Sequence, residues 1–173
     1  MKHTKHLLVL WAALLLGAGN AWGETITLDY NSFGLKTSYA TKTATVNGYG
    51  FTVDQGYKGS GNVIQMNSSK GSGTLYNTTP ISGLQSITIV VSSGSKTYTV
   101  YQGTTEQPTT KKGTGSTGTT TINFDPGQTY FTLKVSGASY FSSITIEYSA
   151  GSTEPTLYLG QTKPPQSWRF FNA

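Results

Sequence analysis

Beyond residue 23 this chain has no histidine and no cysteine. The 173 residues include two histidines, His3 and His6, both ahead of the first long apolar run, and no cysteine at all. Disulfides are therefore unavailable to the body of the chain, and so are Ser-His-Asp and Cys-His nucleophiles, because the base is missing. Zinc and copper sites built on imidazole or thiolate are excluded for the same reason. Charge is sparse as well, at 11% of residues, and the lysines are scattered except for Lys111-Lys112. That is no nucleic-acid footprint. Long apolar runs are also lacking, with Leu7 to Leu16 standing alone. No stretch after residue 23 sustains a helical period.

The head of the chain reads as a secretory signal peptide, residues 1–23. Lys2 and Lys5 form a basic start, and the Leu7–Leu16 run is too short to cross a bilayer as a helix. Ala21-Trp22-Gly23 then places small residues where a signal peptidase reads, so the expected cut precedes Glu24. Losing Lys2 and Lys5 lowers the formal net charge from +5 to +3. The expected product is a secreted or cell-surface protein of about 150 residues, one domain with one core and no membrane span.

Residues 24–149 read as strands. Ile26, Leu28 and Tyr30 alternate with Thr27 and Asp29, and Ile87, Ile89 and Val91 with Thr88 and Val90. The same period of two runs through Tyr98–Val100, Ile122–Phe124, Phe131–Val135 and Ile144–Tyr148, as in strands with one buried face. Shorter strands are expected at Thr43–Val46, Tyr49–Val53, Val63–Asn67 and Thr74–Asn77. Asn47-Gly48, Ser93-Gly94 and Asp125-Pro126-Gly127 supply turn chemistry between them. The expected fold is all-β: an antiparallel two-sheet, jelly-roll-like sandwich of about nine strands. Its inward set runs from Ile26 and Leu28 through Phe51, Val53, Ile64, Leu75, Ile81, Leu84, Ile87, Ile89, Val91, Val100, Phe124, Phe131 and Leu133 to Ile144 and Ile146. Residues 150–173 read as a linker and a C-terminal tail, disordered or truncated. Its Trp168-Arg169-Phe170-Phe171 end is available to a protein partner or to the domain itself.

Paired carboxylates are the one enzymatic route left open. Asp29 and Glu147 fall on the first and last expected strands, yet their apolar neighbours face inward, so both acids should point to solvent. No catalytic residue and no cofactor are expected. A structural calcium could draw on Asp54, Asp125 or Glu24 with Asp29. Asn67-Ser68-Ser69 and Asn77-Thr78-Thr79 match the N-glycosylation pattern, which recurs by chance in so Thr- and Ser-rich a chain.

Recognition without reaction is better supported. Alternate loops of an antiparallel sandwich share an end. Counting back from the last strand groups segments 137–142, 104–118, 79–83 and 55–61. Ser93-Gly94-Ser95 and Pro126-Gly127 then fall at the opposite end. The grouped loops carry Tyr57, Lys58, Lys111, Lys112 and Tyr140, the expected ligand-binding residues. Aromatic faces stack on sugar rings, while amines, amides and phenols hydrogen-bond hydroxyls.

The succession Asn62-Val63-Ile64-Gln65-Met66, Gly73-Thr74-Leu75-Tyr76-Asn77-Thr78-Thr79-Pro80-Ile81, Gln85-Ser86-Ile87-Thr88-Ile89, Tyr98–Thr104, Tyr130–Leu133 and Ser142–Tyr148 resembles accessory β-sandwich domains. These occur in secreted and surface proteins of Bacteroides-like bacteria and are similar in architecture to carbohydrate-binding modules. The resemblance spans residues 24–149. It implies a non-catalytic module with a polysaccharide or cell-surface glycan as partner and transfers no ligand residue. The alternatives are a structural or adhesive surface protein working through protein contacts, and a carboxylate-dependent glycosidase.

Overall fold

The computed structural model describes residues 23–149 except Ser95. Residues 1–22 of the expected leader and the expected tail, 150–173, lie outside the described residues. There is no helix among those described, and every strand pairing is antiparallel. In chain order the strands are β1 (Glu24–Leu28), β2 (Ala40–Val46), β3 (Tyr49–Gly59), β4 (Val63–Met66), β5 (Thr74–Asn77) and β6 (Leu84–Ser93). They continue with β7 (Tyr98–Gly103), β8 (Thr110–Gly115), β9 (Gly118–Asn123), β10 (Tyr130–Val135) and β11 (Ser139–Tyr148).

Two sheets face each other. The first runs β8-β7-β10-β5-β3-β2. The second is centred on β11, with β6 and then β9 on one side. On its other side β4 pairs with Ser139–Phe141 and β1 with Ile144–Tyr148. Strand β3 belongs to both sheets: Phe51–Val53 pair with β5, and Tyr57–Gly59 pair with β4. It turns from one sheet to the other at Gln55, where φ is 48°, and at buried Gly56. A side chain at Gly56 would press into Val53 and Leu35.

The alternating residues meet between the sheets. All the expected inward side chains, Ile26 through Ile146, are buried. Phe33 and Leu35 join them from the connection between β1 and β2, where the sequence shows no strand period to reveal them. The Asp29 carboxylate accepts hydrogen bonds from the Ser32 amide at 2.9 Å and hydroxyl at 3.1 Å, holding that connection in a turn.

The expected grouping of loops is not what forms. Thr110–Gly115, with the sequence TKKGTG, has no apolar residue to mark it, yet it pairs with β7 as β8. One added strand reverses the end at which every earlier loop lies. Ser136 N donates to Thr97 O at 3.0 Å, Val135 N to Gly73 O at 2.9 Å and Thr117 Oγ1 to Gly94 O at 2.6 Å. Segments 67–73, 96–97, 116–117 and 136–138, together with Gly94, therefore share one end. Thr129 N donates to Gly103 O at 3.0 Å and Ile81 N to Thr129 O at 2.9 Å, which places 78–83, 104–109 and 124–129 at the other. Segment 55–59 is strand, not loop.

Candidate functional site

Pairing register, rather than loop proximity, brings two of the expected residues together. Gln65 of β4 lies opposite Tyr57 of β3 on one side and opposite Tyr140 of β11 on the other. Ile64 and Met66 flank Gln65 and are buried, so Gln65 and its two partners point outward. Tyr57, Gln65 and Tyr140 thus form a row across three strands, with the two tyrosine backbones about 9.6 Å apart, two strand spacings. All three side chains are half-buried.

Two neighbours shape this row. The Tyr39 ring lies against Tyr57 with centroids 4.9 Å apart and planes tilted by 37°. The Tyr39 hydroxyl accepts a hydrogen bond from Gln65 Nε2 at 2.8 Å, which orients the amide and leaves its carbonyl oxygen and second N–H for another partner. Gly59 makes room for Tyr140: a Cβ there would come within 3.2 Å of that ring. The arrangement presents aromatic, amide and phenol groups in one plane, suited to stacking and hydrogen bonding and carrying no nucleophile.

The outer surface of the second sheet continues this character. Thr27, Thr145, Thr88 and Thr121 align across β1, β11, β6 and β9. Thr88 and Thr121 share a hydroxyl–hydroxyl hydrogen bond of 2.9 Å. Strands β1, β4, β6, β9 and β11 contain no lysine or arginine, and their only acids are Glu24 and Glu147. Each carboxylate has a partner: Tyr148 Oη donates to Glu24 at 2.5 Å, and Ser86 Oγ to Glu147 at 2.9 Å. Burial and then the Glu24 carboxylate push the Tyr148 hydroxyl far above its usual range.

The other three expected residues lie elsewhere. Lys58 Nζ sits 5.1 Å above the Tyr30 ring, a cation–π contact on the side of β3 opposite Tyr57. Lys111 is exposed on the first sheet, opposite Tyr101. Lys112, beside it, occupies a register shift in β8 and pairs with Asp125, which also binds the Gln102 amide. Lys112 first and Gln102 second hold the Asp125 carboxyl below its usual value.

The candidate acids do not assemble. Thr25 lies opposite Glu147, whereas Asp29 follows Leu28, the partner of Ile144. Four residues of strand, about 13 Å, separate the two backbone positions along β1, and the Asp29 carboxylate is taken up by Ser32. Asp54 accepts hydrogen bonds from Thr41 Oγ1 at 2.8 Å and Ser72 Oγ at 2.7 Å. Among the described residues no group of three acids forms. Asn77 is fully buried with its amide hydrogen-bonded, so the folded domain offers no glycosylation there. An open depression of about 380 Å³ lies among Leu84, Gln85, Phe124, Pro126 and Ser149, and none of the expected ligand residues lines it.

Sequence reasoning missed Tyr39 and Gln65. Tyr39 precedes β2 in a segment without period, and Gln65 resembles any polar residue on an alternating strand. Only the β3-β4-β11 pairing gives them a role.

No family model and no curated protein matches the chain. Two solved structures do, at a distance. One, from work on glycan recognition in the Ruminococcus flavefaciens cellulosome, is 17% identical, with 73% of this chain and 95% of that chain covered and a TM-score of 0.41. The other is the C-terminal CBM6 of LamC, a marine laminarinase from Zobellia galactanivorans. It is 15% identical, with 72% of this chain and 99% of that one covered and a TM-score of 0.34.

Proposed function

We propose that this chain is a non-catalytic module that binds an uncharged polysaccharide outside the cell, across the row Tyr57–Gln65–Tyr140. The observation that carries the reading is that row: two outward tyrosines in register on either side of a pre-oriented amide. Rings two strand spacings apart suit a chain of flat sugar units, and the amide between them reads a hydroxyl. A face without basic residues, whose one outward carboxylate, Glu147, already accepts from Ser86, favours a neutral ligand. The lack of histidine and cysteine beyond residue 23, with Asp29 and Glu147 far apart, supports binding without turnover.

Affinity electrophoresis against neutral polysaccharides tests this. Retardation by at least one neutral glucan, mannan or xylan is expected. Tyr57→Ala and Tyr140→Ala should each weaken binding by roughly tenfold, at about 0.5–1.5 kcal/mol per aromatic contact beyond area burial. Binding that is unchanged in the double variant would refute the assignment of this face.

A further inference from the structure

The outer face of the first sheet is built differently. Pairing register sets Lys111 opposite Tyr101, Tyr101 opposite Thr132, Thr132 opposite Tyr76 and Tyr76 opposite Thr52. The row crosses β8, β7, β10, β5 and β3. Lys134 lies one outward position along β10, between Thr99 and Thr74, and Tyr130 lies one outward position the other way.

Burial shows how the tyrosines lie. Thr132 points outward from the middle of a sheet, where a threonine should be wet, yet it is only 6% exposed. Thr52 and Thr74 are likewise buried. Side chains on the neighbouring strands must lie down over them, and the in-register neighbours of Thr132 are Tyr101 and Tyr76. Thr132 Oγ1 finds no hydrogen-bond partner among the described residues, an unfavourable state for a buried hydroxyl. The surface is therefore a low aromatic floor over threonines, with no outward Leu, Ile or Val on β5, β7 or β10. The centre of a protein–protein interface is more apolar than this.

The free charge on this face is mainly positive. Lys111 and Lys134 stand on it against a single acid, Asp54, which is hydrogen-bonded to Thr41 and Ser72. Lys111 and Lys134 are exposed, and neither is paired with a carboxylate among the described residues.

We infer that this face is a second binding site, for an acidic polysaccharide bearing carboxylates or sulfate esters, stacked on Tyr76, Tyr101 and Tyr130 and held by Lys111 and Lys134. It lies on the other sheet from the Tyr57 row and stands or falls independently of it.

The test uses the full chain in affinity gels containing polygalacturonate or dextran sulfate, with single-stranded DNA as a non-glycan polyanion. Retardation by at least one acidic polysaccharide is expected, and the pair of polymers separates carboxylate from sulfate preference. Tyr101→Ala should weaken it roughly tenfold. Lys111→Gln, a change on an exposed side chain, should weaken it several-fold and flatten its dependence on salt around ~0.15 M. Tyr57→Ala should leave it unchanged. Absence of retardation by both acidic polymers would overturn the inference. So would retardation that responds to salt but not to Tyr101→Ala, or equal retardation by the DNA.

Discussion

Replacing Asn77 with alanine should be among the most damaging single changes in the domain. Its side chain is fully buried at the end of β5, just where the β5–β10 backbone pairing stops at Tyr76 and Thr132. Nδ2 donates to Thr79 O at 2.8 Å and to Thr129 O at 2.9 Å, and Oδ1 accepts from Phe131 N at 2.8 Å. The amide thus extends the ladder and ties the 78–83 connection to β10. Alanine removes three hydrogen bonds, worth about 1 kcal/mol each, and strands the Phe131 N–H at a further cost of about 1 kcal/mol or more. Thr129 O keeps its bond from Ile81 N, which limits the loss. The sum is about 4 kcal/mol, a large part of the ~5–15 kcal/mol that holds such domains together, or a fall in Tm of roughly 10–15 °C. Urea titration and thermal melting followed by circular dichroism measure it. Asn77→Asp is the diagnostic partner. It keeps the acceptor for Phe131 but sets a carboxylate against two carbonyl oxygens, so its folded-state pKa is raised. Its deficit relative to the parent should then grow as pH rises through the unfolded Asp value of about 3.9 and shrink below it. A loss under 1 kcal/mol for the alanine variant, or an aspartate variant that tracks the parent at every pH, would refute the reasoning.

Two other changes probe the same kind of bookkeeping. At Asp54 burial raises the carboxyl pKa, but hydrogen bonds from Ser72 and Thr41 more than offset it, leaving the carboxyl below its usual value. That stabilisation is complete above the unfolded pKa and is lost as pH falls through the folded one. Asp54→Asn should accordingly lose less stability than the parent as pH falls below the unfolded Asp value of about 3.9 in acid titrations, and identical acid limbs would contradict this. Ser139 is fully buried and its hydroxyl has no partner among the described residues. Ser139→Ala should be neutral or stabilising by up to about 1 kcal/mol in urea melts, and a loss beyond 1 kcal/mol would point to an unseen partner.

Much of the architecture was legible because period-two alternation reports directly on which side of a strand is buried. Ile87, Ile89 and Val91 announce β6, and Phe131 and Leu133 announce β10. β8 was not legible, because an edge strand of Thr, Lys and Gly forms through backbone pairing with β7 and buries little of its own. That omission reversed the assignment of loops to ends. The candidate site was readable only in part. Tyr57 and Tyr140 stood out as aromatics in the expected loops, but what joins them is the register of β4, a four-residue strand. Register depends on long-range pairing and leaves no local trace at Gln65. The tyrosines of the first sheet were hidden for a related reason: Tyr76, Tyr101 and Tyr130 look like ordinary strand residues until β10 is seen to lie between β5 and β7.

The passage of β3 from one sheet to the other has a mechanical consequence. A strand hydrogen-bonded in both layers cannot be withdrawn from either alone, since peeling Tyr57–Gly59 from β4 pulls on Phe51–Val53 against β5. The layers are linked through continuous backbone as well as through the apolar side chains packed between them. Half a sandwich is therefore not a state this chain can rest in, and amide exchange in the two sheets should slow and quicken together rather than sheet by sheet.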